Sequence, residues 1–135
     1  MGTNHYYLGV DNRTTALRVI NTTPHYTRLE TRIPGSDTNP YLAIAAALAS
    51  GLYGIKNKLQ LDVKATVGNG YQNKTNGSLH ANLFDAATAM QKSAVAKELF
   101  GDGFVQHFTQ TRIWEHRQYA KSVSDWELKR YFEII

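Results

Sequence analysis

Uncharged and charged residues alternate from Thr27 to Ile33, so a strand there sends Arg28, Glu30 and Arg32 to one face and Leu29 and Ile33 to the other. The segment before it, Thr14 to Ile20, is rich in β-branched residues and places Arg18 on the same face as Ala16 and Ile20. Asn21-Thr22-Thr23-Pro24 turns the chain between the two, which predicts an antiparallel β ribbon. A shorter aromatic run, Tyr6 to Val10, is a third candidate strand, broken from the next by Asp11-Asn12.

The pattern then changes period. Asn39 is a good N-cap and Pro40 a good first helical residue, and the body that follows, Tyr41 to Ile55, has no charged residue. A helix without a polar face has to be covered all round, so this one is expected to be a buried core helix, with Gly51 and Gly54 marking close packing. It is too short for a membrane span, which needs roughly 20 residues. Lys56 and Lys58 then suit the negative end of the helix dipole. From Gln60 to Gly77 the chain is polar and glycine-bearing, an exposed loop expected to be mobile or to touch a neighbour.

Further helices follow from caps and stripes. Ser78 is expected to cap a helix with the stripe Leu79, Leu83, Ala86 and Met90, which leaves His80 exposed. Ser93 caps a short helix ending at Phe100 before Gly101. Phe104, Val105, Phe108, Thr111 and Trp114 recur at helical spacing, with Trp114 expected in the core. Ser124-Asp125-Trp126-Glu127 is a capping box for a last helix, whose stripe of Leu128, Tyr131, Phe132 and Ile135 is expected to dock. Together these elements predict an α+β fold: a short antiparallel β ribbon, a buried core helix and about four further helices in one domain, 1–135.

Composition narrows the chemistry. With 135 residues and 42% hydrophobic content, the chain has the material for one core. The absence of cysteine excludes disulfides, thiolate catalysis and sulfur-ligated zinc. A net charge of +4 suits an anionic ligand and is mild for a nucleic-acid binder. Met1 to Tyr7 has neither a signal-peptide pattern nor an Arg-rich transit pattern, which fits a cytoplasmic setting. Arg13, Arg18, Arg28 and Arg32 gather in one patch around Glu30. Two readings stand: a solvated face whose charges neutralise one another, or a site for an anionic, metal-bound substrate.

The ordered set of motifs resembles the C-terminal part of the glutamine synthetase catalytic domain. Its carriers are Asn12-Arg13-Thr14 with Arg18, then Arg28-Leu29-Glu30-Thr31-Arg32, Pro34 and Gly35, Asn39-Pro40-Tyr41-Leu42-Ala43, and Gly51 to Leu59. Leu99 to Gly103 through Asp125-Trp126-Glu127 is similar to the tail of the branch that includes gamma-glutamyl ligases acting on amines other than ammonia. The resemblance implies an ATP-dependent ligase that joins glutamate to ammonia or another amine through gamma-glutamyl phosphate. It assigns Glu30 to a divalent ion, magnesium or manganese; Arg32 to substrate glutamate; Arg13 to glutamate and the transferred phosphoryl group; and Arg18 and Arg28 to ATP phosphates. His25 falls where the family often carries lysine.

In the family the remaining metal ligands lie ahead of the position of Met1. A fragment, a truncated gene product or a divergent short relative, inactive alone and prone to self-association through its exposed sheet edge and apolar face, is therefore expected. The full-length enzyme is implied to be a homo-oligomer, with no nucleic-acid or membrane partner. The competing readings are a gamma-glutamyl-polyamine ligase fragment, a non-catalytic fold remnant or interaction module, and a small basic binder of nucleic acid or another polyanion.

Overall fold

One short turn sets the topology of the first half of the chain. The computed structural model describes residues 7–72, 75 and 77–134, and the chain divides into two compact units, Met1–Leu79 and His80–Ile135. In the first, β1 (Leu8–Val10), β2 (Leu17–Ile20) and β3 (Arg28–Thr31) form one sheet in that order. β2 and β3 pair antiparallel as the alternation predicts, with Arg18 opposite Glu30 and Val19 opposite Leu29. The ladder runs on, the Arg32 amide donating to the Ala16 carbonyl at 2.8 Å.

β1 adds what the ribbon expectation lacked, a parallel neighbour for β2, with Leu8 against Leu17 and Val10 against Val19. Tyr6 of the candidate first strand lies outside the described residues. Parallel strands ordinarily need a crossover of about a dozen residues, yet Asp11 to Ala16 suffices here because the turn bonds to itself. Asp11 takes a left-handed φ of 47°, which short polar side chains tolerate best. Asn12 Oδ1 accepts from the Thr14 amide at 2.9 Å and from its hydroxyl at 2.6 Å. Thr15 is wholly buried, its hydroxyl 2.8 Å from the Asn12 carbonyl and 2.9 Å from that of Leu17.

α1 (Pro40–Lys56) starts where its caps predict, with the Asn39 side chain accepting from the Tyr41 and Leu42 amides. The expectation of a buried core helix is corrected: none of its residues is buried, and Leu48 and Leu52 are 63% and 66% exposed. A Cβ on Gly51 or Gly54 would meet nothing within 4 Å, so the close packing expected there is not made among the described residues. The helix forms from its caps and its alanines, which are local causes; burial needs partners, and the sheet supplies them on one side only. Between α1 and the apolar face of the sheet runs an open groove of about 620 Å³ lined by Leu17, Leu29, Ile33, Ala43 and Ala47.

The segment after α1 is largely exposed, as expected, and its stretch from Thr66 to Gly70 is fastened to β1 and to the turn that follows it. The Thr66 amide donates to the Leu8 carbonyl at 2.8 Å, and Asn12 Nδ2 donates to the carbonyls of Thr66 at 3.2 Å and Gly68 at 2.8 Å. The Gly70 amide donates to Thr14 Oγ1 at 2.8 Å, an approach only glycine permits, since a Cβ would sit 2.8 Å from the Thr14 carbonyl oxygen.

The second unit holds α2 (Leu83–Lys92), α3 (Ala94–Phe100), α4 (Asp102–Tyr119) and α5 (Asp125–Tyr131). α2 begins later than expected, because Asn82 rather than Ser78 accepts from the Asp85 amide; His80 is exposed, as expected. Ser93 caps α3, and Gly101, at φ 80°, ends it by donating its amide to the Lys97 carbonyl. α2 and α3 pack on α4, whose buried seam is Val105, Thr109 and Ile113, with Ala87 buried on α2. This four-residue step departs from the expected stripe, and Trp114 is corrected from core to surface at 59% exposure. Ser124 and Glu127 complete the capping box of α5, yet none of its residues is buried and the expected docking is absent among the described residues; Ile135 lies outside them. No helix among the described residues is long and apolar enough to cross a membrane.

Candidate functional site

Because Arg18 and Glu30 are direct cross-strand partners, the antiparallel register itself brings them together. Arg18 Nη1 donates to Glu30 Oε2 at 3.0 Å. The period of two along β3 puts Arg28 and Arg32 beside the same carboxylate: Arg28 Nη2 lies 3.4 Å from Oε1, and Arg32 Nη1 lies 4.0 Å from Oε2. One acid thus serves three guanidinium groups, and the patch keeps a surplus of positive charge. The Arg18 hydrogen bond, opposed by desolvation, holds the Glu30 carboxyl below its usual range.

Arg18 is the most enclosed of these groups, its side chain 14% exposed. Its second nitrogen, Nη2, donates to Asp11 Oδ1. The hydrogen bonds that Arg18 donates to Asp11 and then to Glu30 raise its pKa above the ordinary value. Arg18 Nε is buried without a hydrogen-bond partner.

Arg13 is exposed and forms no ion pair among the described residues, but it shares with Arg18 a cleft of about 720 Å³. Val10, Asp11, Asn12 and the segment from Ala65 to Gly68 complete the lining. The five predicted site residues therefore form one neighbourhood: Arg18, Arg28 and Arg32 on Glu30, and Arg13 on the adjoining cleft. His25, in the short turn Pro24–Tyr26, is exposed and does not line that cleft. Sequence reasoning missed two participants. Asp11 was legible only as a strand break, and the clamp made by Asn12 joins residues 54 and 56 positions apart.

Guanidinium groups with unused hydrogens, one Nε among them orphaned, fit an anion of the phosphate or carboxylate type. A divalent cation is a poorer fit. No three His, Asp or Glu side chains converge among the described residues, Glu30 already accepts from arginines, and a hard cation takes about six oxygen ligands. The described residues do not hold such an ion by themselves.

Residues 3–131 match the family described as "Glutamine synthetase, catalytic domain". The chain is 48% identical over 130 residues to Type-1 glutamine synthetase 2 of Dictyostelium discoideum, covering 94% of this chain and 25% of that one. It is 45% identical over 129 residues to glutamate–isopropylamine ligase of Pseudomonas sp, covering 94% and 28%. A solved structure, "Apo GmaS without ligand", is similar with a TM-score of 0.72 and 27% identity, over 97% of this chain and 30% of that one. The chain spans about a quarter of the length of the curated relatives it matches.

Proposed function

The chain belongs to the glutamine synthetase family through its catalytic domain, and from that premise we propose that it forms the phosphate-facing arginine wall of an ATP-dependent glutamate–amine ligase. The observation that carries this is the Arg18–Glu30 cross-strand pair with Arg28 and Arg32 on the same carboxylate and Arg13 on the adjoining cleft. In this reading Arg18 and Arg28 hold ATP phosphates, Arg32 holds substrate glutamate, and Arg13 serves glutamate and the phosphoryl group in transfer. Glu30 supplies one oxygen ligand to magnesium or manganese, the other ligands coming from outside the described residues.

The side-chain carboxylate of glutamate takes the terminal phosphoryl group of ATP, releasing ADP, and the amine displaces phosphate from the acyl phosphate. Charge spreads over the phosphoryl oxygens during transfer, so permanently charged donors suit it better than an acid or base would. The substrate class is glutamate and an amine, ammonia or larger, by likeness to the isopropylamine ligase and to gamma-glutamylethanolamide synthetase GlnA4 of Streptomyces coelicolor.

The same proposal makes the isolated chain inactive, since no three acidic or histidine side chains converge on a metal site among the described residues, and active in a cytoplasmic homo-oligomer of longer chains. Calorimetry with ATP and manganese tests it. The wild-type chain is expected to bind, and Glu30→Ala and Arg28→Ala each to weaken binding by roughly tenfold or more; binding that survives both changes rejects the assignment. Turnover of glutamate, hydroxylamine and ATP by the isolated chain would remove the claim of inactivity. One observation favours a second reading, an interaction module: α1 is apolar and unburied. Under it, both variants leave nucleotide binding absent or unaltered, while sedimentation still shows self-association.

A further inference from the structure

We propose that Asp11 is the positioning residue for Arg18, holding its guanidinium in the wall of the cleft that both residues line so that its free hydrogens meet an incoming phosphate. The inference rests on the ligase reading above and adds to it a residue to which that reading gives no role.

Arg18 has a long side chain that must be ordered before it can be a directed donor. Its Nε makes no hydrogen bond, so orientation comes through the two terminal nitrogens alone. Nη1 is held by Glu30, but Glu30 also attends to Arg28 at 3.4 Å and Arg32 at 4.0 Å. In the ligase reading it is drawn to a cation as well. Nη2 is held by Asp11, which has no other charged partner among the described residues. Each terminal nitrogen carries two hydrogens, so one on each remains available to an anion after both carboxylates are served.

The backbone keeps the Asp11 carboxylate in place. The Asp11 amide donates to the Val19 carbonyl at 2.8 Å, across the β1–β2 junction. The left-handed φ of 47° turns the residue out of the strand, where it lines the same cleft as Arg13 and Arg18. The larger of the causes that raise the Arg18 pKa is its hydrogen bond to Asp11, in keeping with that geometry.

An acid beside an anion site has two opposite effects, and their sizes decide between roles. The Asp11 side chain is 61% exposed, so its repulsion of an anion is screened by water and salt. If repulsion were all, removing the charge would tighten anion binding by about twofold. If Asp11 orients Arg18, removing it weakens binding by roughly tenfold, since a disordered arginine must be ordered by the ligand. The signs differ.

The test titrates the full chain with metal-free ATP, comparing wild type with Asp11→Asn and Asp11→Gly. Both replacements tolerate a positive φ. Asp62→Asn, an exposed loop residue, repeats the charge change elsewhere. The expected result is about tenfold weaker ATP binding in both Asp11 variants and none in the control, with melting temperatures unchanged. Nitrogen NMR of the guanidinium group should show the resolved Arg18 Nη signals merging in both variants. ATP binding equal to or tighter than wild type in the Asp11 variants overturns the proposal and leaves the ligase reading intact. Failure of the wild-type chain to bind ATP rejects the phosphate site and, with it, this role. Unfolding of both variants overturns it too, by making Asp11 a folding residue.

Discussion

The two faces of the small sheet make opposite demands on their surroundings. On one, Glu30 is bonded by Arg18 and flanked by Arg28 and Arg32, and Asp11 takes the second terminal nitrogen of Arg18. Those charges find partners inside a hairpin and a turn. On the other, Leu29 and Ile33 border an open groove, and α1 beyond it buries none of its residues. Hydrogen-bonded ion pairs are satisfied by one or two neighbours in register, whereas apolar surface is satisfied only by area, and the described residues do not have enough of it. The charged side chains of this sheet are thus better satisfied than its apolar ones.

The largest expected effect tests that contrast directly. Ile20, 6% exposed, anchors the first unit, and Ile20→Ala should cost about 2–4 kcal/mol in urea unfolding. Leu52→Ala on α1 should cost less than about 0.5 kcal/mol, because little is buried there to lose. Equal costs would mean that α1 is covered in solution and that the contrast is wrong. Next in size is Asn12→Ala, which removes the bonds to the Thr66 and Gly68 carbonyls. A loss of about 1–2 kcal/mol is expected, with faster proteolysis of the segment from Asp62 to Gly70; unchanged proteolysis would show that the cleft wall does not depend on this clamp.

α5 repeats the lesson of α1 in a second place, a helix formed by its cap with no buried residue. Ser124→Ala should lower its stability by about 1 kcal/mol. Hydrogen bonds from the Ser124 amide and hydroxyl depress the folded pKa of Glu127. Its contribution is therefore present above the ordinary glutamate pKa and is lost as pH falls through the depressed folded value. Helicity followed by circular dichroism should show this acid loss in wild type and a flatter profile in Ser124→Ala; identical profiles would disprove the link. Smallest is Arg28→Ala. Arg28 is 54% exposed and its ion pair is screened. Stability should shift by about 0.5 kcal/mol or less while ATP binding falls, and a large stability loss would recast Arg28 as structural.

Several features were legible in the residues. Alternation along Thr27 to Ile33, with the turn before it, was enough to bring Arg18, Arg28, Glu30 and Arg32 to one face. The caps Asn39, Ser93 and Ser124 announced α1, α3 and α5. These signals act between residues a few positions apart or directly across a hairpin, so the local chain carries them in full.

Tertiary structure alone decided the rest. The parallel pairing of β1, the Asp11 bond to Arg18 and the fastening of Thr66 to Gly70 onto the turn all depend on a tight self-bonded loop that no periodicity encodes. Apolar patterning along α1 and α4 stated a need for burial without saying where it would be met. Hence α1 is bare, Trp114 is exposed, and the seam of α4 runs through Val105, Thr109 and Ile113. Caps and in-register pairs are set by residues close in the chain or directly across a hairpin, while burial and long-range hydrogen bonds are set by whatever surface or loop arrives to meet them.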